Sequence, residues 1–121
     1  MEMVRIFADA DGESRFEDLD PGLGDFAAHG FQTASSDLWP VKAVQFRTVV
    51  EDFASDYHTA GQRQLVINLS GTSEIEVSSG ERRTIGPGVV LVVEDTTGRG
   101  HKAAKTTGEP LHMILVHLGE A

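Results

Sequence analysis

Cysteine is absent from this chain. That excludes a disulfide framework, a thiolate-ligated zinc or iron–sulfur centre and a thiol nucleophile. Bases are scarce as well: 10 Lys and Arg stand against 19 Asp and Glu, for a net charge of −9. The balance speaks against nucleic acid as a partner, because phosphate binding needs clustered Lys and Arg. No apolar run approaches the roughly 20 residues of a membrane-spanning helix. The opening MEMVRIFADADGE has neither the basic start nor the apolar stretch of a signal peptide. The expectation is an acidic cytoplasmic protein with no membrane partner. Its 121 residues suit one domain.

The acidity is uneven. Residues 1–25 carry eight acids (Glu2, Asp9, Asp11, Glu13, Glu17, Asp18, Asp20, Asp25) against Arg5 and Arg15, and Pro21, Gly22 and Gly24 interrupt any periodicity there. This reads as an extended N-terminal arm over residues 1–40, with one short strand at Val4–Phe7, packed on a body formed by residues 41–121. An acid-rich stretch of this kind is ordinarily a solvated surface.

From Val41 the texture changes to short β-rich runs separated by turn residues. The runs are Ala43–Val50, Gln64–Leu69, Glu74–Val77, Arg82–Ile85, Val89–Val93, His101–Lys105 and Leu111–Leu118. Val89–Val93 is apolar throughout, as a strand buried on both faces requires. Six or seven strands and no convincing helix indicate an all-β sandwich or barrel.

Several familiar signatures fail. Asp9-Ala10-Asp11-Gly12 opens like a calcium loop, but Ser14 stands where an EF-hand needs its glycine. Asn68-Leu69-Ser70 matches a glycosylation sequon inside a strand. Gly98-Arg99-Gly100 precedes no helix and so builds no dinucleotide site. Arg82-Arg83 is too short a basic run for nucleic acid.

One constellation stands out. His58-Thr59-Ala60 is followed by three residues, Gln64, six more residues and Gly71; further on come Gly86-Pro87-Gly88, an apolar run, and Gly98-Arg99-Gly100-His101. These spacings resemble the two motifs of the cupin superfamily, G-x5-H-x-H-x(3,4)-E-x6-G and G-x5-P-x-G-x2-H-x3-N, over roughly residues 41–118. The resemblance implies a small jelly-roll β-barrel with His58, Gln64 and His101 facing its cavity, and it is similar to a subgroup of small bacterial cupins. Metal-binding cupins hold one divalent ion with two motif-one His, the Glu and the motif-two His. Here Ala60 replaces the second His, Gln64 the Glu, Thr96 the Pro, Lys105 the Asn and Asp52 the first Gly.

The resemblance therefore implies a cavity for a small polar metabolite, with His58 and His101 as imidazole acid–base groups. Gln64, Asn68 and Arg47 are the expected ligand-binding residues, Arg47 suiting an anion. The alternative expectation is a divalent zinc, nickel, iron or manganese ion on His58, Gln64 and His101, serving an oxygenase, isomerase or lyase. A third is a non-catalytic sensing or accessory role. Alternation puts Gln64, Val66 and Asn68 on one face of their strand and Leu65, Ile67 and Leu69 on the other. Alternation alone would bury the leucine face and expose the polar one, whereas the cupin resemblance turns Gln64 to the cavity. The leucine face then needs cover from the arm or from a second copy, and since small cupins are often dimers a homodimer is expected. His112 and His117 fall on opposite faces of the last strand and read as structural, and His29 lies in the arm. Glu94 and Asp95 read as solvated rim carboxylates, and Trp39 and Phe31 as caps on the barrel.

Overall fold

The computed structural model describes residues 1–28 and 30–119, so the expectation for His29 lies outside the described residues. Among the described residues eleven strands run in chain order: β1 (Met3–Ala8), β2 (Ser14–Leu19), β3 (Gly24–Ala28), β4 (Phe31–Ser35), β5 (Val41–Val49), β6 (Gln64–Ser70), β7 (Ser73–Val77), β8 (Arg82–Ile85), β9 (Val90–Val93), β10 (His101–Lys105) and β11 (Leu111–Leu118). No helix occurs among the described residues. The protein is all-β, as the run of short strands predicts.

The strands form a six-stranded sheet ordered β2-β1-β9-β6-β11-β5, a three-stranded sheet ordered β10-β7-β8, and a separate β3-β4 hairpin. The two larger sheets face each other. Val4, Ile6, Leu91 and Val93 of the first sheet share one core cluster with Ile75, Val77 and Ile85 of the second. β9 sits inside its sheet, parallel to β1 and antiparallel to β6. This central place explains why its sequence is apolar without alternation.

The N-terminal segment corrects the expectation of a draped arm. β1 pairs with both β2 and β9, and Val4 and Ile6 are fully buried. The acids obscured this alternation because they fall on β2 and on the turn before it. In that turn Asp9 Oδ1 accepts the backbone N–H groups of Asp11 at 2.9 Å and Glu13 at 3.0 Å. Only residues 20–40 lie outside the two facing sheets, and they contain the β3-β4 hairpin. Phe31 on that hairpin is exposed, and Trp39 lies over the outer face of the large sheet, so neither caps the interior.

The leucine face of β6 is covered in part: Leu65 and Ile67 lie under the segment before β5, whereas Leu69 is 54% exposed. Across the outer face, Val44, Val116, Leu65 and Val92 form one cross-strand row, and Phe46, Ile114, Ile67 and Val90 form the next. Leu23, Leu38 and Trp39 cover the Leu65–Ile67–Val90 end of these rows. The β5 end is bare, with Phe46 79% and Val44 51% exposed. β5 is also the sheet's last strand, and among the described residues no further strand pairs with its outer edge.

Candidate functional site

A cavity of about 260 Å³ lies between the two sheets. The large sheet contributes Gln64, Val66 and Asn68 from β6, Leu91 and Val93 from β9, Leu111, Met113 and Leu115 from β11, and Arg47 from β5. The small sheet contributes Ser73 and Ile75, Ile85, and His101 and Ala103. Segment 53–61 supplies Phe53, His58, Thr59, Ala60 and Gly61. All five residues singled out from the sequence, Arg47, His58, Gln64, Asn68 and His101, therefore line one cavity.

Segment 53–61 has no strand signature, yet it runs antiparallel beside β10. Lys105 N donates to Phe53 O at 3.1 Å, Ser55 N to Ala103 O at 2.8 Å, and His58 and His101 exchange both backbone hydrogen bonds at 2.9 Å. The two imidazoles consequently lie against each other on one side, with centroids 4.7 Å apart and planes tilted by 55°. Gly100 makes this approach possible. Its φ is +84°, and a Cβ at this position would stand 2.0 Å from the His58 carbonyl oxygen. Only glycine meets both demands.

Each ring has one nitrogen engaged. His58 Nδ1 lies 2.9 Å from the Asp56 carbonyl oxygen, and His101 Nδ1 lies 2.7 Å from Asp95 Oδ2. Both partners are acceptors, so each neutral ring carries its proton on Nδ1 and keeps a lone pair on Nε2. His101 is buried and His58 is exposed at the rim. Gln64 also has no side-chain hydrogen bond to the described residues, whereas the Asn68 amide donates to Gly71 O at 2.9 Å.

The sequence misplaced two carboxylates. Asp95 is not a solvated rim residue but is fully buried. Its Oδ2 accepts from Ser14 Oγ at 2.7 Å as well as from His101, while Oδ1 has no hydrogen-bond partner among the described residues. Its backbone oxygen receives Ala60 N at 3.0 Å, which ties the approach to β6 to the same residue. Glu94 points the other way and bridges Arg5 at 2.7 Å and Arg63 at 2.5 Å. Burial pushes the Glu94 carboxyl up, but those two guanidinium hydrogen bonds outweigh it and hold the group below the ordinary carboxylate value. Alternation along the chain was the available signal. Val93 faces the cavity, so the strand direction carries Glu94 outward and Asp95 back inward.

His112 and His117 do not reach the cavity; His112 Nδ1 lies 2.9 Å from Thr48 Oγ1 on the outer face. Arg82 and Arg83 are engaged by Glu76 and Asp18, each at 2.5 Å.

The chemistry of the donor set tests the metal expectation. Among the described residues no three or more His, Cys, Asp or Glu side chains converge. Ala60 supplies no ligand, and Asp95 is already committed behind His101. Two imidazoles and one neutral amide oxygen fall short of the three strong ligands that a resident zinc or iron site uses. The residues do not fit a permanently bound divalent ion.

Among the described residues no helix is long and apolar enough to cross a membrane. No protein-family model and no curated protein matches the chain. A solved structure described as the crystal structure of protein NMB1881 from Neisseria meningitidis is similar over 80% of this chain and 82% of that one, at 16% identity and a TM-score of 0.47.

Proposed function

We propose that this chain is a cupin-type jelly roll that binds a small polar metabolite between its sheets and moves a proton on it with His101. The observation that carries this reading is the buried Asp95–His101 hydrogen bond on the wall of a largely apolar cavity. Asp95 fixes the His101 tautomer and orientation, as the carboxylate does in any carboxylate–imidazole pair. Nε2 is then the basic atom available to a ligand. In the step we propose, Nε2 takes a proton from a carbon beside a ligand carbonyl. The C–H electron pair moves into the resulting enolate, and the Gln64 amide donates a hydrogen bond to its oxygen. Asp95 balances the imidazolium, which then returns the proton to another atom of the same ligand, giving an isomerisation. His58, beside His101 at the rim, meets the entering ligand first.

Solvent-deuterium exchange into a panel of enolisable carbonyl compounds, followed by NMR, tests this. Exchange is expected with the native protein and is expected to vanish in His101→Ala while the fold is kept. Ligand binding unchanged in both His58→Ala and His101→Ala would move the site elsewhere. Near-stoichiometric zinc, nickel, iron or manganese in untagged protein would instead favour the metal reading on His58, Gln64 and His101.

The proposal includes a homodimer, with a second copy covering the bare end of the outer apolar face. Antiparallel pairing of β5 with its two-fold mate, centred on Gln45, sets Val44 opposite the mate's Phe46, Lys42 opposite Thr48 and Ala43 opposite Arg47. This register opposes no like charges and extends both apolar rows into the partner.

A further inference from the structure

The cavity has two polar ends, and they differ. At one end are His58, His101 and Gln64. Gln64 opens β6, and the five residues 59–63 join it to His58. At the other end, Arg47 pairs with Met113 and Met113 with Asn68, so Arg47 and Asn68 share one row across the sheet. Asn68 lies four residues along β6 from Gln64, a span of about 13 Å. On the facing sheet, His101 and Ser73 lie at opposite ends of the β10-β7 pairing, with Ser73 at the Asn68 end. Between the two ends the walls are apolar, formed by Val66, Ile75, Leu91 and Leu115.

Arg47 is the notable group. It lines the cavity, yet it makes no ion pair with any described residue; its one side-chain hydrogen bond goes to the neutral Gln45 amide, at 2.6 Å. Six other arginines, Arg5, Arg15, Arg63, Arg82, Arg83 and Arg99, each have a carboxylate partner. In a chain of net charge −9, acids are plentiful, so a guanidinium left without one on a cavity wall is a vacancy for an anion. Its planar fork matches a carboxylate.

We infer that the ligand is an amphipathic carboxylate: its anionic head on Arg47, a short hydrocarbon stretch against the apolar walls, and an oxo or hydroxyl group at the His58–His101–Gln64 end. The inference rests on the cavity reading above and adds the chemical class. It also orients the ligand, with the reacting carbon remote from the carboxylate.

The test uses 5-oxohexanoate, its neutral amide 5-oxohexanamide, and acetate as probes, measured by calorimetry and thermal shift on the full chain. 5-Oxohexanoate is expected to bind at least tenfold more tightly than either other probe. Arg47→Gln is expected to erase its advantage over the amide, and Arg47→Lys to restore part of it. Arg47 is exposed, and in the proposed β5 pairing it stands opposite only the small Ala43 of the mate, so both variants are expected to keep the native melting temperature without ligand. Equal affinity for the acid and the amide overturns the carboxylate assignment, as does a failure of 5-oxohexanoate to bind at about 10 mM. Amide binding that is lost in His101→Ala but indifferent to Arg47 would leave the cavity reading standing and this one refuted.

Discussion

His58 and His101 are joined twice, by reciprocal backbone hydrogen bonds of 2.9 Å and by a tilted contact of rings 4.7 Å apart. The pairing brings the loop before β6 onto the edge of the small sheet and so closes one side of the cavity. It depends on Gly100 more than on either imidazole.

Gly100→Ala should therefore damage both stability and site. The new methyl group meets the His58 carbonyl and the backbone must hold a positive φ. Together these cost about 3 kcal/mol or more. Gly108→Ala, where nothing lies within 4 Å of the added carbon, is the control and should change little. Chemical denaturation of the two variants checks this, and comparable midpoints would refute the Gly100 argument.

Asp95→Asn should change His101 before it changes the fold. The amide can present either N–H or oxygen to Nδ1, so the ring loses its fixed tautomer. Nitrogen chemical shifts of the His101 ring are expected to move toward a mixed tautomer, with proton exchange on bound carbonyl compounds falling at least tenfold. Ser14→Ala removes one of two hydrogen bonds to the same oxygen and should cost about 1 kcal/mol while sparing the tautomer. An unaltered His101 spectrum in Asp95→Asn would remove Asp95 from the mechanism.

Acid should destabilise the protein through identifiable carboxylates. Hydrogen bonds from Tyr57 and Arg82 hold Glu76 below its ordinary 4.5 against the opposing effect of burial. For Glu94, burial acts upward but Arg5 and Arg63 prevail, again below 4.5. A carboxyl whose pKa is lowered by folding stabilises the native state fully above its unfolded value, and that contribution is lost as pH falls through the folded one. The melting temperature should thus hold from about pH 7 to about pH 5 and drop below about pH 4.5. Glu94→Gln should melt lower at neutral pH and show a shallower acid limb. An acid limb of unchanged depth would mean that Glu94 contributes nothing.

Phe46→Lys and Val44→Lys place charges on the bare end of the outer face and opposite each other in the proposed β5 pairing. Light scattering should then report a dimer for the native chain and a monomer for the double variant. A native monomer at concentrations of about 100 µM would eliminate the homodimer.

Much of the architecture was legible because strands announce themselves locally. Alternation marked Gln64–Leu69, uniform apolarity marked the centrally placed β9, and glycine turns set the breaks between them. The full extent of β1 is hidden in the sequence, because the acids around it mask Val4 and Ile6. Segment 53–61 was not legible as part of a sheet, since its pairing with β10 rests on backbone contacts that Gly100 permits and leaves no periodicity of its own.

The sequence by itself determined an all-β chain without thiol chemistry, and it named five polar residues that share one cavity. The resemblance to the cupin motifs, rather than alternation, turned His58, Gln64 and His101 inward; alternation alone would bury the leucine face of β6 and expose the polar one. Only the tertiary structure decided which carboxylate stands behind His101, which arginine lacks a partner and where the apolar outer face is left bare. Those are relationships between strands far apart in the chain, set by sheet order and register, and a linear pattern does not encode them.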